Sequence, residues 1–486
     1  MTASAVCSAA GAGWSGQNGR VVFNTANGCC DRIWTVNPDG SDVRVIITSP
    51  SQYARIEDIS PDGRQIVYLD TERNNIGQKV RSIAVDTAPL FDRGTLLDDP
   101  PDPEEGAESL DRNTRYSPEG TRIAFLRTGV DPGVWVMDAD GTHKQLVLAS
   151  GAPLSDLAWS ADGTRLGFKA GGLPYSIPAD GTSVPVAMLD VYPPGPGRSP
   201  VSPDGGKKVF VDCCDSDMGG NPQVYLSNLD GSARARLTGI FPGCAYPVCG
   251  TSQTNPREGG FDPFTPIWQT VHAPTSRSGL VAAYNFDAGA GTMVGDLSGN
   301  GNTGRTRATT WTSGLHGGAL AFNGRNSWVT IAEAPSLALS SALTLEAWVR
   351  PTQLSDDSWK SVIFKEQRKS TEYDLYASDG KVPAASVWNG REQLAKGGSQ
   401  LLPLDRWSHL AATLGGGTLR LYLNGSLVAT QPATGSIVRD RSSKPLRIGG
   451  NDVFDEFFAG SIDDVRIYGR ALSESELRSD MFTAVS

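Results

Sequence analysis

Short runs of alternating apolar and polar residues recur along the whole chain of 486 residues, separated by turns rich in glycine, proline, asparagine and aspartate. Alternation with a period of two is typical of β-strands that bury one face, and helical patterns are nearly absent. The pattern therefore predicts an all-β protein. Because a single hydrophobic core stops growing at roughly 250 to 300 residues, we expect two domains.

One turn sequence, Ser-Pro-Asp-Gly with small variations, returns four times in the first half, at Ser60–Gly63, Ser117–Gly120, Ser160–Gly163 and Ser202–Gly205. Proline in second place and glycine in fourth place are typical of a type I turn. A strand follows each of these turns, and a second strand comes after it. A second turn, at Asn37–Gly40, Asp138–Gly141, Pro178–Gly181 or Asn228–Gly231, then precedes a short basic strand that ends the unit. Each unit is therefore predicted to be a four-stranded meander, and a period of roughly 40 to 57 residues is typical of β-propeller blades.

The first unit of this repeat is incomplete, because the strands at Val21–Phe23 and Ile33–Val36 have no Ser-Pro-Asp-Gly turn before them. The segment Phe264–Trp268 looks like the strand that precedes such a turn, yet nothing of the repeat follows it. We expect this late strand to complete the first blade, which would remove the open edge between the first and last blades. Five blades are then predicted, with six as the alternative if the segment from Phe241 to Gly260 contains further strands.

The amino-acid sequence of the repeat resembles that of a known family. Strands such as Ile123–Phe125 and Val134–Val136 and the turn Asp138–Gly141 resemble the repeats of the TolB-type, WD40-like β-propeller family over residues 18–269. Residues 1–17 form an extension before it. The resemblance implies a fold but no single function, because propellers of this kind serve as docking platforms, as gates on peptidases and as hydrolase scaffolds.

A different pattern begins after a linker at residues 270–279. Alternating strands between glycine, asparagine and aspartate turns fill residues 280–486, which is what two sheets packed face to face require. Segments such as Leu343–Pro351, Leu419–Gly425 and Gly460–Tyr468 resemble the laminin G-like, concanavalin A-like jelly-roll family. The resemblance implies a C-terminal jelly-roll β-sandwich that binds glycans or acts in adhesion, often with a structural calcium.

The loop Asp296–Gly304 is the candidate calcium site of this second half. Its carboxylate, hydroxyl and amide groups suit Ca²⁺, which prefers oxygen ligands at roughly 2.3 to 2.6 Å. In the family that the sequence resembles, the equivalent loop often shares its ion with the aspartate of a Gly-x-Ile-Asp strand, here Asp463. We therefore predict a structural calcium held by Asp296, Asn300, Asn302 and Asp463. The alternative is an Asx-turn loop, with Asp463 capping backbone amides.

Three residues of the jelly roll, Asp374, Tyr376 and Trp388, are candidates for a ligand-binding face. Asp374 and Tyr376 share one side of a predicted strand, while Trp388 shares one side of another strand with Ser386. Aromatic rings beside carboxylates suit the faces and hydroxyl groups of sugars. The alternative for each residue is ordinary packing in the core or on the surface.

All seven cysteines of the chain lie before the linker at residues 270–279. The candidates for disulfides are Cys29, Cys30, Cys213, Cys214, Cys244 and Cys249. The last two bracket a short loop without a histidine, which favours a local disulfide over a zinc site, and the first four form two doublets at matching repeat positions that could cross-link neighbouring units. The odd total leaves at least one cysteine free or paired outside the chain. This usage predicts an oxidising compartment, whether extracellular, cell-surface or periplasmic.

Charge and missing motifs exclude several functions. The formal net charge is −10 and the basic residues are scattered, which argues against a nucleic-acid partner. No stretch approaches the roughly 18 apolar residues of a membrane span. Only four histidines occur, and no Gly-x-Ser-x-Gly nucleophile motif is present, so no catalytic residue is predicted.

The sequence therefore favours an extracellular or cell-surface binding and adhesion protein. Its jelly roll would hold a glycan or a protein ligand, and its propeller would present an interaction platform. One alternative is a carbohydrate-active enzyme, a glycoside hydrolase or lyase, because carboxylates from separate blades can face each other across a pocket. A second alternative is a structural subunit of a surface assembly.

Overall fold

The chain divides into two compact units, residues 1–273 and 274–486, and each is described by itself. The computed structural model describes residues 17–25, 32–48, 52–72, 77–85, 94–98, 109–188, 202, 206–212, 223–237, 266–271, 277–354, 358–397, 402–439 and 444–486. All seven cysteines, and with them the predicted disulfides, lie outside these residues.

The first unit consists of short strands joined by tight turns. The strands are β1 (Gln17–Thr25), β2 (Arg32–Val36), β3 (Arg44–Thr48), β4 (Gln52–Ile59), β5 (Gln65–Glu72), β6 (Gly77–Ala84), β7 (Thr95–Asp98), β8 (Ser109–Tyr116), β9 (Arg122–Thr128), β10 (Gly133–Asp138), β11 (Gln145–Ala149), β12 (Leu154–Trp159), β13 (Arg165–Ala170), β14 (Leu173–Pro178), β15 (Val186–Ala187), β16 (Lys207–Asp212), β17 (Gln223–Asn228), β18 (Ala235–Arg236) and β19 (Ile267–Val271).

These strands form antiparallel meanders that resemble propeller blades. The meanders run β19-β1-β2-β3, β4-β5-β6-β7, β8-β9-β10-β11, β12-β13-β14-β15 and β16-β17-β18. A short parallel pairing of β6 with β8 joins the second and third meanders into one sheet. The described part of the chain therefore supplies five blade-like units, and the six-blade alternative depends on residues 241–260, which lie outside it.

Strand β19 completes the first blade, as the sequence predicts. Its Trp268 lies opposite Val21 of β1, and the strand occupies Ile267–Val271. Positions 264 and 265 of the predicted segment lie outside the described residues. Trp268 packs in one buried cluster with Val209 of β16 and Leu226 of β17. The first blade-like sheet therefore shares buried clusters with the fifth as well as with the second.

The repeated turns are closed by their own polar side chains. In the first turn the amide of Gly63 donates to the Ser60 carbonyl at 2.8 Å, and the Ser60 hydroxyl accepts from the amide of Gln65 at 2.8 Å. In the second turn the Asp140 carboxylate accepts from both the amide and the hydroxyl of Thr142, at 2.9 and 2.6 Å. The polar residues of the repeat therefore act locally, in shaping the blades.

The second unit is a sandwich of two antiparallel sheets. Its strands are β20 (Leu280–Tyr284), β21 (Met293–Val294), β22 (Gly304–Arg307), β23 (Thr310–Ser313), β24 (Gly318–Asn323), β25 (Trp328–Ile331), β26 (Leu343–Pro351), β27 (Trp359–Gln367), β28 (Ser370–Asp379), β29 (Ala384–Trp388), β30 (Glu392–Lys396), β31 (Ser408–Gly415), β32 (Thr418–Leu423), β33 (Ser426–Pro432), β34 (Leu446–Ile448) and β35 (Ala459–Tyr468). A 3-10 helix, Pro335–Leu337, and one α-helix, α1 (Glu474–Met481), complete the unit.

The two sheets enclose one large apolar core. Sheet one has the order β23-β24-β35-β26-β31-β32-β33, with β20 paired to β35, and sheet two has the order β21-β22-β25-β34-β27-β28-β29-β30. Leu345 and Val465 of sheet one and Ile363 and Leu375 of sheet two share the cluster between them. This arrangement is the jelly-roll sandwich that the sequence predicts.

The C-terminal segment covers part of the outside of sheet one. Helix α1 begins with a capping box in which Ser473 and Glu476 bond each other's backbone amides. Met481 and Phe482 pack on Trp348, and the Trp348 indole donates to the Met481 carbonyl at 3.2 Å. Trp348 is therefore a packing residue, and the C-terminal segment covers this part of the outside of sheet one.

Candidate functional site

Sheet two has an inner face in the core and an outer face that carries most of the candidate chemistry. On β28, Tyr373 and Leu375 belong to the core cluster, and Asp374 and Tyr376 alternate with them. Side chains alternate along a strand, so Asp374 and Tyr376 lie on the opposite side, here called the outer face. The structure therefore places both predicted residues on one face.

Asp374 is buried on this face and is held by the neighbouring strand β29. Its two carboxylate oxygens accept from the backbone amide and from the hydroxyl of Ser386, each at 2.7 Å. Burial raises the pKa of the Asp374 carboxyl well above its ordinary value, although the hydrogen bonds from Ser386 oppose the shift. An acid that is easily protonated in an apolar setting can both donate and accept hydrogen bonds.

Tyr376 connects the sheet to the loop after β34. Its hydroxyl donates to the Glu456 carboxylate at 2.7 Å, and the Asn451 side chain donates to the same oxygen at 3.0 Å. Burial raises the pKa of Glu456, while these two hydrogen bonds lower it. The partly buried Glu456 carboxylate is therefore held in place beside β28.

Aromatic rings pack around Tyr376 and Phe364 on the same face. The Trp359 and Phe364 rings meet the Tyr376 ring edge-on, with centroids 4.7 and 6.2 Å apart. Phe454, from the same loop as Glu456, stands edge-on to Phe364 at 6.1 Å and is 50% exposed. An exposed aromatic side chain next to oriented polar groups is a typical feature of binding sites for amphipathic ligands.

Trp388, the third predicted ligand residue, lies further from this cluster. It is two residues beyond Ser386 on β29 and therefore on the same face by alternation, and its side chain is partly exposed. Its backbone carbonyl accepts from the amide of Val438 at 2.8 Å. The structure thus groups Asp374 with Tyr376 and leaves Trp388 at the edge of the face.

The loop Asp296–Gly304, predicted to bind calcium, is closed by hydrogen bonds of its own. The Asp296 carboxylate accepts from the amides of Ala283, Ser298 and Asn302 at 2.8 to 3.0 Å. The side-chain amides of Asn300 and Asn302 both donate to the Val281 carbonyl. These are the contacts of the Asx-turn alternative.

Asp463 has a different set of partners. Its carboxylate accepts from the amides of Leu315, His316 and Asp464 at 2.7 to 3.1 Å, so it pins the glycine-rich turn between β23 and β24. Burial and the neighbouring Asp464 carboxylate raise the pKa of Asp463 to about 7. The carboxylates of Asp296 and Asp463 share no partner.

In this arrangement, hydrogen bonds of the loop and its neighbours engage the carboxylates of Asp296 and Asp463 and the side-chain amides of Asn300 and Asn302. Across the described ranges, no group of three or more histidine, cysteine, aspartate and glutamate side chains could hold a metal ion. Calcium stays a prediction of the sequence.

Sequence reasoning missed Trp359, Phe454 and Glu456. The signal was weak, because Trp359 begins a strand and Phe454 and Glu456 lie in the segment Asn451–Phe458, which reads as an ordinary acidic turn. Two apolar side chains in such a turn, Val453 and Phe454, could have indicated a loop that folds back onto a sheet face.

Two acids of the first unit, Glu57 and Asp156, have structural partners. Glu57 of β4 is fully buried and accepts from the amide of Thr114 in the next blade at 3.0 Å. Asp156 of β12 is ion-paired with Lys169 at 2.8 Å. Both have structural partners within or between blades.

Among the described residues, no helix is long and apolar enough to span a membrane.

Comparison with known proteins bears on the second unit. Residues 323–478 match the family model of the concanavalin A-like lectin/glucanases superfamily. The adhesion G-protein coupled receptor V1 of Danio rerio is 26% identical over 173 residues, which are 33% of this chain and 3% of that protein. The chain thus matches only a small part of this curated relative.

Comparison with solved structures found two similarities at low TM-scores. Domain 4 of the extracellular arabinanase AbnA of Geobacillus stearothermophilus, solved with arabinotriose, is 24% identical and matches 42% of this chain and 98% of that one, with a TM-score of 0.32. A sialidase of Trypanosoma rangeli is 13% identical and matches 93% of this chain and 66% of that one, with a TM-score of 0.35. The second unit contains a laminin G-like jelly roll that matches the concanavalin A-like lectin/glucanases superfamily.

Proposed function

We propose that this protein is an extracellular or cell-surface binding protein whose jelly roll holds a glycan on the outer face of sheet two. The observation that carries the proposal is the grouping of two polar, partly or fully buried acids, Asp374 and Glu456, with the rings of Trp359, Tyr376 and Phe454. The first unit serves as an interaction platform.

The chemistry of the face supports a sugar as the ligand. Pyranose rings have apolar C–H faces that pack on aromatic rings, and their hydroxyl groups hydrogen-bond to carboxylates. Phe454 and Trp359 offer the first kind of contact, and the partly exposed Glu456 offers the second, while the buried Asp374 holds β28 to β29 beneath them. The family match of residues 323–478 and the adhesion receptor relative support a role in binding.

A glycan array probed with the full-length protein tests the proposal. We expect binding to a restricted set of oligosaccharides by the wild type, and a loss of about tenfold or more in affinity for Trp359→Ala and Phe454→Ala, because each change removes a stacking surface. Trp407→Ala is a matched control, because Trp407 packs beside the Trp348 cluster on sheet one.

Two outcomes contradict the proposal. One is no binding of the wild type to any glycan. The other is equal binding by the wild type and both outer-face variants. Incubation of each bound glycan with the protein, followed by mass analysis, separates binding from hydrolysis, and release of shorter products would favour the enzyme alternative.

A further inference from the structure

The outer face of sheet two continues past the acidic and aromatic cluster to a basic end on β22 and β25. In β22, an added Cβ at Gly304 would meet Val294 and Val329 in the core at 2.6 Å, so that position faces inward. Arg305 and Arg307 alternate with the inward positions and point to the outer face. Both side chains are exposed.

The strand register confirms that the two ends belong to one surface. Arg305 lies opposite Thr330 of β25, Thr330 lies opposite Arg447 of β34, and Arg447 lies opposite Phe364 of β27. Directly opposed residues point to the same side of a sheet, and Phe364 contacts Tyr376. Four strand spacings separate β22 from β28, a distance of roughly 19 Å.

Trp328 anchors the basic end. The guanidinium groups of Arg307 and Arg447 lie over its ring, 4.6 and 4.5 Å from the centroid, and the Phe457 ring stacks on it at 5.7 Å. Arg447 is neutralised by Glu366 at 2.9 Å and by Asp452 at 3.1 Å. Its charge is therefore compensated within the sheet and its loop.

Arg305 and Arg307 differ from Arg447 in having no carboxylate partner in the described part of the unit. The second unit contains as many lysines and arginines as aspartates and glutamates, so the net charge of −10 belongs to residues 1–273. An anion that approaches the outer face thus meets two uncompensated guanidinium groups on an electrically neutral unit.

We propose that Arg305 and Arg307 bind the carboxylate of a uronic-acid residue, so that the ligand of the outer face is an acidic oligosaccharide. The inference rests on the proposed glycan-binding function. Two arginines at positions i and i+2 stand roughly 7 Å apart along a strand, close enough for both to reach one anionic sugar. The planar guanidinium matches a carboxylate with two parallel hydrogen bonds. The neighbouring sugars extend toward Phe454 and Trp359.

Titration of the full-length protein with a uronate-containing oligosaccharide and with its carboxyl-reduced, neutral form tests the inference. We expect the acidic form to bind about tenfold to 100-fold more tightly than the neutral form, an advantage that falls as salt is raised. Arg305→Gln/Arg307→Gln abolishes this advantage and leaves affinity for the neutral form unchanged. Arg391→Gln, an exposed arginine in the turn between β29 and β30, is the matched control and retains it.

The possible results separate the two proposals. If the wild type binds both forms equally and the double variant binds like the wild type, the carboxylate site is wrong while glycan binding stands. Preference for a sulfated oligosaccharide over the uronate one also overturns the carboxylate assignment. If neither form nor any array glycan binds the wild type, the proposed function itself fails.

Discussion

The two units use polar side chains in opposite ways. In the first unit they repeat with the blades, and residues such as Ser60 and Asp140 bond to the backbone of their own turns. On the outer face of sheet two, Asp374 and Glu456 occur once and bond to other strands and loops, next to exposed rings. A polar residue that recurs with the repeat therefore indicates a structural role in the turns. A polar residue that occurs once, beside exposed aromatic rings, indicates a role in ligand binding.

The largest expected effect comes from weakening the contact between the first and fifth blade-like sheets of the first unit. Trp268→Ala removes a nearly fully buried ring from the cluster between the first and fifth blades, and we expect it to lower the free energy of unfolding of that unit by about 3 to 5 kcal/mol. Differential scanning calorimetry measures the change. Val186→Ala, at an exposed position of β15, is the control. Loss of glycan binding by Trp268→Ala would show that the outer face depends on the first unit.

A smaller loss of stability is expected from substitutions at the glycines of two equivalent turns, Gly141 and Gly231. Gly141 and Gly231 both have φ of +87°, but a Cβ at Gly141 would lie 2.7 Å from the Leu97 carbonyl oxygen of the preceding blade, and one at Gly231 would meet nothing within 4 Å. We expect Gly231→Ala to destabilise by about 1 kcal/mol and Gly141→Ala by at least about 2 kcal/mol. Urea unfolding measures both. Equal losses would refute the close contact between blades.

A pH dependence is expected from Asp374. Its pKa is raised in the folded state, so its contribution to stability is complete below the unfolded value of about 3.9 and is lost as pH rises toward the folded value. The loss is about 1.4 kcal/mol for each unit by which the pKa is raised. Unfolding of the second unit, followed from pH 4 to 8, measures it. Asp374→Asn should flatten the profile, and an unchanged slope would contradict the assignment.

The smallest expected effect concerns calcium. Because amide donors engage the carboxylates of Asp296 and Asp463, we expect the melting temperature of the second unit to be nearly the same in Ca²⁺ and in a chelator. A clear rise with Ca²⁺ that Asp463→Asn abolishes would support the sequence prediction instead.

Much of the architecture could be predicted from the sequence because it depends on local rules. The repeated turn sequences predicted the positions of the blade-like sheets. A strand near Trp268 that lacks the rest of its repeat predicted how the first of these sheets is completed. The placement of Asp374 with Ser386 follows from alternation and strand pairing. The contribution of Glu456 and Phe454 could not be predicted, because it depends on how one loop folds over a sheet far from it in sequence.

The most direct test of the account is a crystal structure of the full-length protein with the oligosaccharide that binds best on the array. The account predicts sugar density on the outer face of sheet two, in contact with Trp359, Phe454 and Glu456. Density on the first unit, or on sheet one beside α1, would contradict it.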